Sequence, residues 1–269
     1  METATAYDHC RELALKPGSL FEFTSQYIPA ATMPSLLSVY ALKSAICSIP
    51  HSAVDDSVKW EKLKWWGQEL MAEPGGAARH PIIIALMDSG ARARLDDALL
   101  IRLVAASLEQ VDAQPESDED ALFGRFSNIG LAESQLELAL DEARHETGGI
   151  QYFSAASTLY AVMASFAPGK QVLADFLPLS MMAKHGVTNE MFEQSPYPSA
   201  VAQLVEDLAR LGLAWFSKGH DEASVSGKGF QGGAAGRHLR LRWSLEERQL
   251  LRICKDAARY LEQGIDRKS

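Results

Sequence analysis

Cysteine, long apolar runs and basic charge are all scarce in this chain, and each shortage removes a class of answers. The three cysteines, Cys10, Cys47 and Cys254, are far apart and odd in number. Neither a disulfide framework nor a zinc site is indicated, and a reducing compartment suits them. The longest strongly apolar run, Pro81 to Met87, is far too short to cross a bilayer. Bases are outnumbered, 26 against 35 acids for a net charge of -9, which argues against nucleic acid as a partner. The opening METATAYDHC has no basic n-region and no apolar core, so no signal peptide is expected. These absences point to a soluble, cytoplasmic protein.

What remains is helical. Hydrophobic residues make up 47 % of the chain, ample for a core. Helices are predicted over Ala4 to Leu15, after a Ser19 cap, over Pro34 to Ile49 and over Val54 to Met71. Further helices are predicted from Pro81, from Asp96 to Val111, Glu119 to Glu146, Ile150 to Phe166 and Pro198 to Phe216. The last begins with a capping box at Ser244-Leu245-Glu246-Glu247. The Pro34–Ile49 helix is apolar or small nearly all round, which places it in the middle of a bundle. The next helix shows an apolar side of Val58, Leu63, Trp66 and Leu70. Pro198 to Phe216 is amphipathic and reads as packed on the core, with membrane-surface attachment as its other use. Residues 218 to 237 are glycine-rich and read as a flexible loop. No strand of useful length is legible, so the fold class is all-α.

Five short segments, in order, resemble the squalene/phytoene synthase family. They are Phe21 with Tyr27-Ile28-Pro29, then Leu37-Ser38-Val39-Tyr40-Ala41-Leu42, then Lys62-Leu63-Lys64-Trp65-Trp66-Gly67-Gln68-Glu69-Leu70. His80-Pro81 with Ala85-Leu86 follows, and then Phe176-Leu177-Pro178 with His185-Gly186-Val187. The resemblance covers roughly residues 8 to 195. It implies an isoprenoid synthase-type helical bundle around a central apolar cavity, with residues 1–269 as a single domain.

The family's chemistry departs from this sequence at its metal site. The resemblance implies head-to-head joining of two prenyl diphosphates, in which Mg²⁺, a hard cation, is held by carboxylates of two aspartate-rich motifs. The first motif falls on Cys47-Ser48-Ile49-Pro50-His51, which contains no carboxylate. Cys47, Ser48 and His51 therefore stand at degenerate positions, and Asp55 and Asp56 are the nearest substitute ligands. Those two acids also suit the start of the next helix, where they complement its dipole. The second motif falls between Ser154 and Pro178, where Asp175 is the only acid. No cofactor is expected, and Mg²⁺ enters only if a relocated metal site exists.

The remaining candidates have plain structural readings beside the functional ones. If the helices lie as in the family, Tyr40, Lys43, Ser44, Ser154, Ser157, Thr158 and Ala161 line the cavity, although Lys43 can equally reach the surface. Cys47 reads as small packing or a reactive thiol, and His51 as structural or as a ligand at the cavity mouth. The acidic series Glu133, Glu137, Asp141, Glu142 and His145 holds one Glu-x-x-His, but di-iron bundles need two, so a solvated face is expected. Gly227 to Gly233 lacks the P-loop order and reads as a linker.

The functional expectation is a catalytically degenerate relative, similar to respiratory complex I assembly factors of the same fold, with Phe176 to Phe192 closest to them. Its partner would be an isoprenoid lipid or a protein, at a membrane surface if anywhere. The alternatives are an active prenyltransferase with altered metal ligands and a bare scaffold whose cavity has filled.

Overall fold

The computed structural model describes residues 3–72, 80–141, 148–165, 176–225 and 232–263, and every regular element among them is helical. The elements are α1 (Thr3–Ala14), α2 (Leu20–Ser25), α3 (Met33–Cys47), α4 (Asp56–Met71), α5 (Pro81–Asp88) and α6 (Asp97–Leu108). They continue with α7 (Glu119–Leu138), α8 (Ile150–Ser165), α9 (Leu179–His185), a 3₁₀ turn (Asn189–Glu193), α10 (Ser199–Val225), α11 (Ala234–Lys255) and α12 (Ala257–Gln263). No helix among the described residues is long and apolar enough to cross a membrane.

The chain forms two compact units, one of residues 1–113, 132–146 and 230–242, the other of 114–131, 147–229 and 243–269. In the first, α1 packs on α3 and α5, α3 on α5 and α6, and α4 on α6. The sequence pattern explains the arrangement. α3 buries residues on all sides, including Leu36, Leu37, Val39, Leu42 and Ile46, so it is enclosed rather than lying at the surface. Ser19 Oγ accepts from the Glu22 N–H at 3.1 Å, the cap read from the sequence. α4 buries only Leu63, Trp66 and Leu70. Val58, expected on its inner side, is exposed, because the spacing of the buried Leu63, Trp66 and Leu70 runs back to position 59 and leaves 58 off that face.

In the second unit α10 packs on α8, α9 and α12. Its buried stripe includes Val201, Leu204, Val205, Leu208, Trp215 and Phe216, the apolar face read from the sequence. Gly130 of α7 sits where a Cβ would lie 2.4 Å from the Ser154 carbonyl oxygen and 2.6 Å from Thr158 Oγ1. The backbones of α7 and α8 therefore touch through small residues.

Several boundaries differ from the sequence reading: α7, expected to reach Glu146, ends at Leu138. Helix continues through residues 218–225 and resumes at Ala234, so the loop expected over 218–237 is much shorter. Residues 226–231 of it lie outside the described residues. Ser244 is in the interior of α11 and starts no helix. α11 begins ten residues earlier because its first turn has a distant cap. Asp141 Oδ1 accepts from the Ala235 N–H at 3.0 Å and Asp141 Oδ2 from the Gly236 N–H at 2.8 Å. Gly233 permits this: a Cβ there would fall 2.4 Å from Asp141 Oδ1. An anionic side chain at a helix N-terminus also complements the dipole.

His80 caps α5 through Nδ1, which accepts from the Ile82 N–H at 3.2 Å, so the cap requires a neutral ring. Its ring centroid lies 4.6 Å from Trp66, 5.7 Å from Trp65 and 5.8 Å from His9. Burial lowers its pKa, neighbouring His9 lowers it further, and Glu69 opposes them.

Two outcomes follow from these contacts. Gly130→Ala should destabilise by about 1–3 kcal/mol through overpacking, read as a lower thermal midpoint, while Gly124→Ala, whose Cβ meets nothing within 4 Å, should not. For His80 the unfolded ring, with a pKa of about 6.5, takes up its proton before the folded one. Its contribution to stability is complete above that pH and is lost as pH falls through the folded value. Urea unfolding at a series of pH values should show this loss in the native chain. In His80→Asn, which keeps a cap acceptor without titrating, that part of the slope should disappear.

Candidate functional site

The first unit contains a carboxylate with no exposure to solvent, Glu137 of α7. An isolated buried charge is prohibitively costly, and this one is surrounded by donors. From α3, Lys43 Nζ pairs with Glu137 Oε1 at 2.6 Å and the Tyr40 hydroxyl donates to Oε2 at 2.9 Å. From α11, Arg242 pairs with Oε1 at 3.2 Å, and His238 Nδ1 lies 3.7 Å from Oε2. Burial by itself would raise the Glu137 carboxyl. The Arg242 and Lys43 charges, with His238, outweigh it and hold the group well below the usual carboxylate range.

The residues around the pair are also fixed. Tyr40 stacks on Phe21 of α2 with ring centroids 3.7 Å apart and planes 8° from parallel. Lys43 Nζ lies 4.6 Å from the Tyr40 ring centroid, a favourable cation–π position, and 3.1 Å from Glu133. His238 Nε2 meets Thr24 Oγ1 at 2.8 Å. That hydroxyl donates to the Leu20 carbonyl at 2.8 Å, so the imidazole N–H is the donor to it.

The structure corrects two readings of these residues. The series containing Glu133 and Glu137 is not a solvated face, since Glu137 is wholly buried and Glu133 pairs with Lys43. Asp141 caps α11, while Glu142 and His145 lie outside the described residues. Lys43 does not reach the surface, because a carboxylate in the core draws its ammonium inward. Sequence reasoning missed Arg242, His238 and Thr24. The signal available is the pair of buried residues Leu239 and Trp243 at i, i+4 spacing, which is too short to single out their polar neighbours.

The positions expected to hold the first motif, Cys47 to His51, sit at the end of α3 and in the turn after it. Cys47 is half-buried, Ser48 and His51 are exposed. Burial pushes the Cys47 thiol up, nearby Glu133 adds to this, and Lys43 opposes it, so the thiolate form is disfavoured. Asp55 is the N-cap residue of α4 and Asp56 its first residue; both are exposed, and Asp56 pairs with Lys59 at 2.8 Å. Among the described residues, no group of three or more His, Cys, Asp or Glu side chains is placed to hold a metal ion. The side chains at Cys47, Ser48 and His51, where the resemblance puts the first motif, therefore do not fit Mg²⁺, which takes oxygen ligands.

Of the other lining candidates, Ser44 Oγ donates to the Leu13 carbonyl at 3.2 Å. In the second unit Ser154 and Ser157 are buried, Thr158 Oγ1 donates to the Ser154 carbonyl at 3.0 Å, and Ala161 is exposed. Asp175, the single acid between Ser154 and Pro178, where the second motif is expected, lies outside the described residues.

Lys43→Met should cost about 3–5 kcal/mol, because it leaves a buried carboxylate short of a partner. Denaturant unfolding should show a lower midpoint, and Lys62→Met, on the exposed side of α4, should be nearly silent.

The protein-family model for squalene/phytoene synthase matches residues 16–124. No curated protein matches the chain in sequence. Among solved structures, the squalene synthase HpnC from Alicyclobacillus acidocaldarius is similar with a TM-score of 0.70 at 18 % identity, covering 94 % of each chain. A dehydrosqualene synthase crystallised in complex with a ligand gives a TM-score of 0.75 at 14 % identity, covering 99 % of this chain and 91 % of its own. At such identities the structures speak for the all-α fold, and the family model speaks for the sequence. The sequence match to that family model is confined to residues 16–124, and the shared all-α fold extends over nearly the whole chain.

Proposed function

We propose that this protein is a catalytically degenerate member of the squalene/phytoene synthase family that acts as an assembly factor, by binding a protein partner rather than by condensing prenyl diphosphates. One observation carries the reading. The helix that ends at the first-motif position supplies no carboxylate there, and its cation, Lys43, is held by Glu137 at 2.6 Å. Ionising a prenyl diphosphate requires a metal clamp or an equivalent set of cations on the departing oxygens. A lysine bound to an internal carboxylate has no charge to spare for that task.

The lining candidates support a protein partner over a lipid. Tyr40, Lys43, Ser44 and Thr158 all spend their polar atoms on bonds within the chain. The small residues of α8 at Ser154 and Thr158 serve close contact with Gly130.

The test is incubation of the purified protein with farnesyl or geranylgeranyl diphosphate and Mg²⁺, reading diphosphate release and extracted lipid. No release is expected, and no recovery of bound prenyl lipid. Release abolished by Asp55→Ala or Asp56→Ala would overturn the reading and place a relocated metal site at the start of α4. Prenyl lipid recovered bound and unchanged would replace the assembly role with lipid carriage.

A further inference from the structure

We infer that Glu137 is a built-in occupant of a small-oxyanion receptor formed by Lys43, Arg242 and Tyr40. The inference deepens the non-catalytic reading above and rests on it for its functional meaning. An ammonium, a guanidinium and a phenol hydroxyl converge on one carboxylate, at 2.6, 3.2 and 2.9 Å. This donor set from two separate helices is what a receptor for a carboxylate or phosphate oxygen presents. Here the anion belongs to the chain itself, delivered by α7.

Two of the three donors, Tyr40 and Lys43, are also held in place independently of Glu137. Tyr40 is clamped by its stack on Phe21, and Lys43 has a second carboxylate, Glu133, at 3.1 Å. Glu133 is partly exposed and Tyr40 half-buried, so the edge of the cluster is within reach of a small ion from solvent. Removing the Glu137 carboxylate should therefore leave a preformed receptor that an external oxyanion can fill. With Glu137 present, the same place is closed to acetate, phosphate and diphosphate alike, which makes the carboxylate an intramolecular block on anionic ligands.

The experiment compares native protein, Glu137→Ala, and Glu137→Ala combined with Lys43→Met. Thermal midpoints are read in sodium acetate, phosphate or pyrophosphate against sodium chloride at matched ionic strength. Binding to the folded state alone raises the midpoint. The oxyanions should raise that of Glu137→Ala by about 5 °C or more over chloride. They should leave the native protein at its chloride value, and the double variant should lose most of the gain. A Glu137→Ala chain that folds only in an oxyanion supports the inference equally. An equal response of native and Glu137→Ala protein, undiminished rescue in the double variant, or no recovery of an unfolded Glu137→Ala chain in any oxyanion overturns it. These readouts use no turnover, so diphosphate release by the native protein would defeat the functional reading without deciding this one.

Discussion

The buried charge on Glu137 constrains its unit more than any other single group. Taking a carboxylate out of water costs several kcal/mol even after relaxation, and the cost is recovered only where donors are close and correctly aimed. Here they arrive from α3 and α11, with α2 behind them through Phe21 and Thr24. Each helix is thereby fixed in rotation and in register, since a shift of one residue would turn Lys43 or Arg242 away. Apolar packing alone tolerates rearrangement if volume is kept. A fully satisfied ionic cluster does not.

The same cluster is what the proposed non-catalytic role rests on. In an enzyme that ionises a diphosphate, cations near the reacting end must be available to the substrate. Lys43 and Arg242 lie against a carboxylate of their own chain, and the end of α3 with the turn after it carries a thiol, a hydroxyl and an imidazole. Small residues show a parallel economy. Gly130 lets α7 lie directly on the α8 backbone at Ser154, and Gly233 lets Asp141 reach the first turn of α11.

Much of the helical order was legible because it rests on local patterns. The all-round apolar composition of α3 predicted enclosure, and nine of its fifteen residues are buried. The Ser19 cap and the inner stripe of α10 were likewise readable from spacing. The start of α11 was not, because its cap is Asp141, more than ninety residues away. The sequence nearby offered only the false capping box at Ser244. Nor did α9 announce itself, since seven residues between Pro178 and Gly186 are too few for a periodicity to emerge.

From the sequence by itself came the all-α class, the order of most helices, the family resemblance and a segment, 47–51, that holds no carboxylate. All of these depend on residue identity and on neighbours within a few turns. Only the tertiary structure decided that Glu137 is buried rather than solvated, that Lys43 turns inward, and that Arg242 and His238 belong with them. The reason is physical. The charge state and direction of a polar side chain depend on which distant groups share its low-dielectric surroundings, and residues 94 and 105 positions from Glu137 supply Lys43 and Arg242.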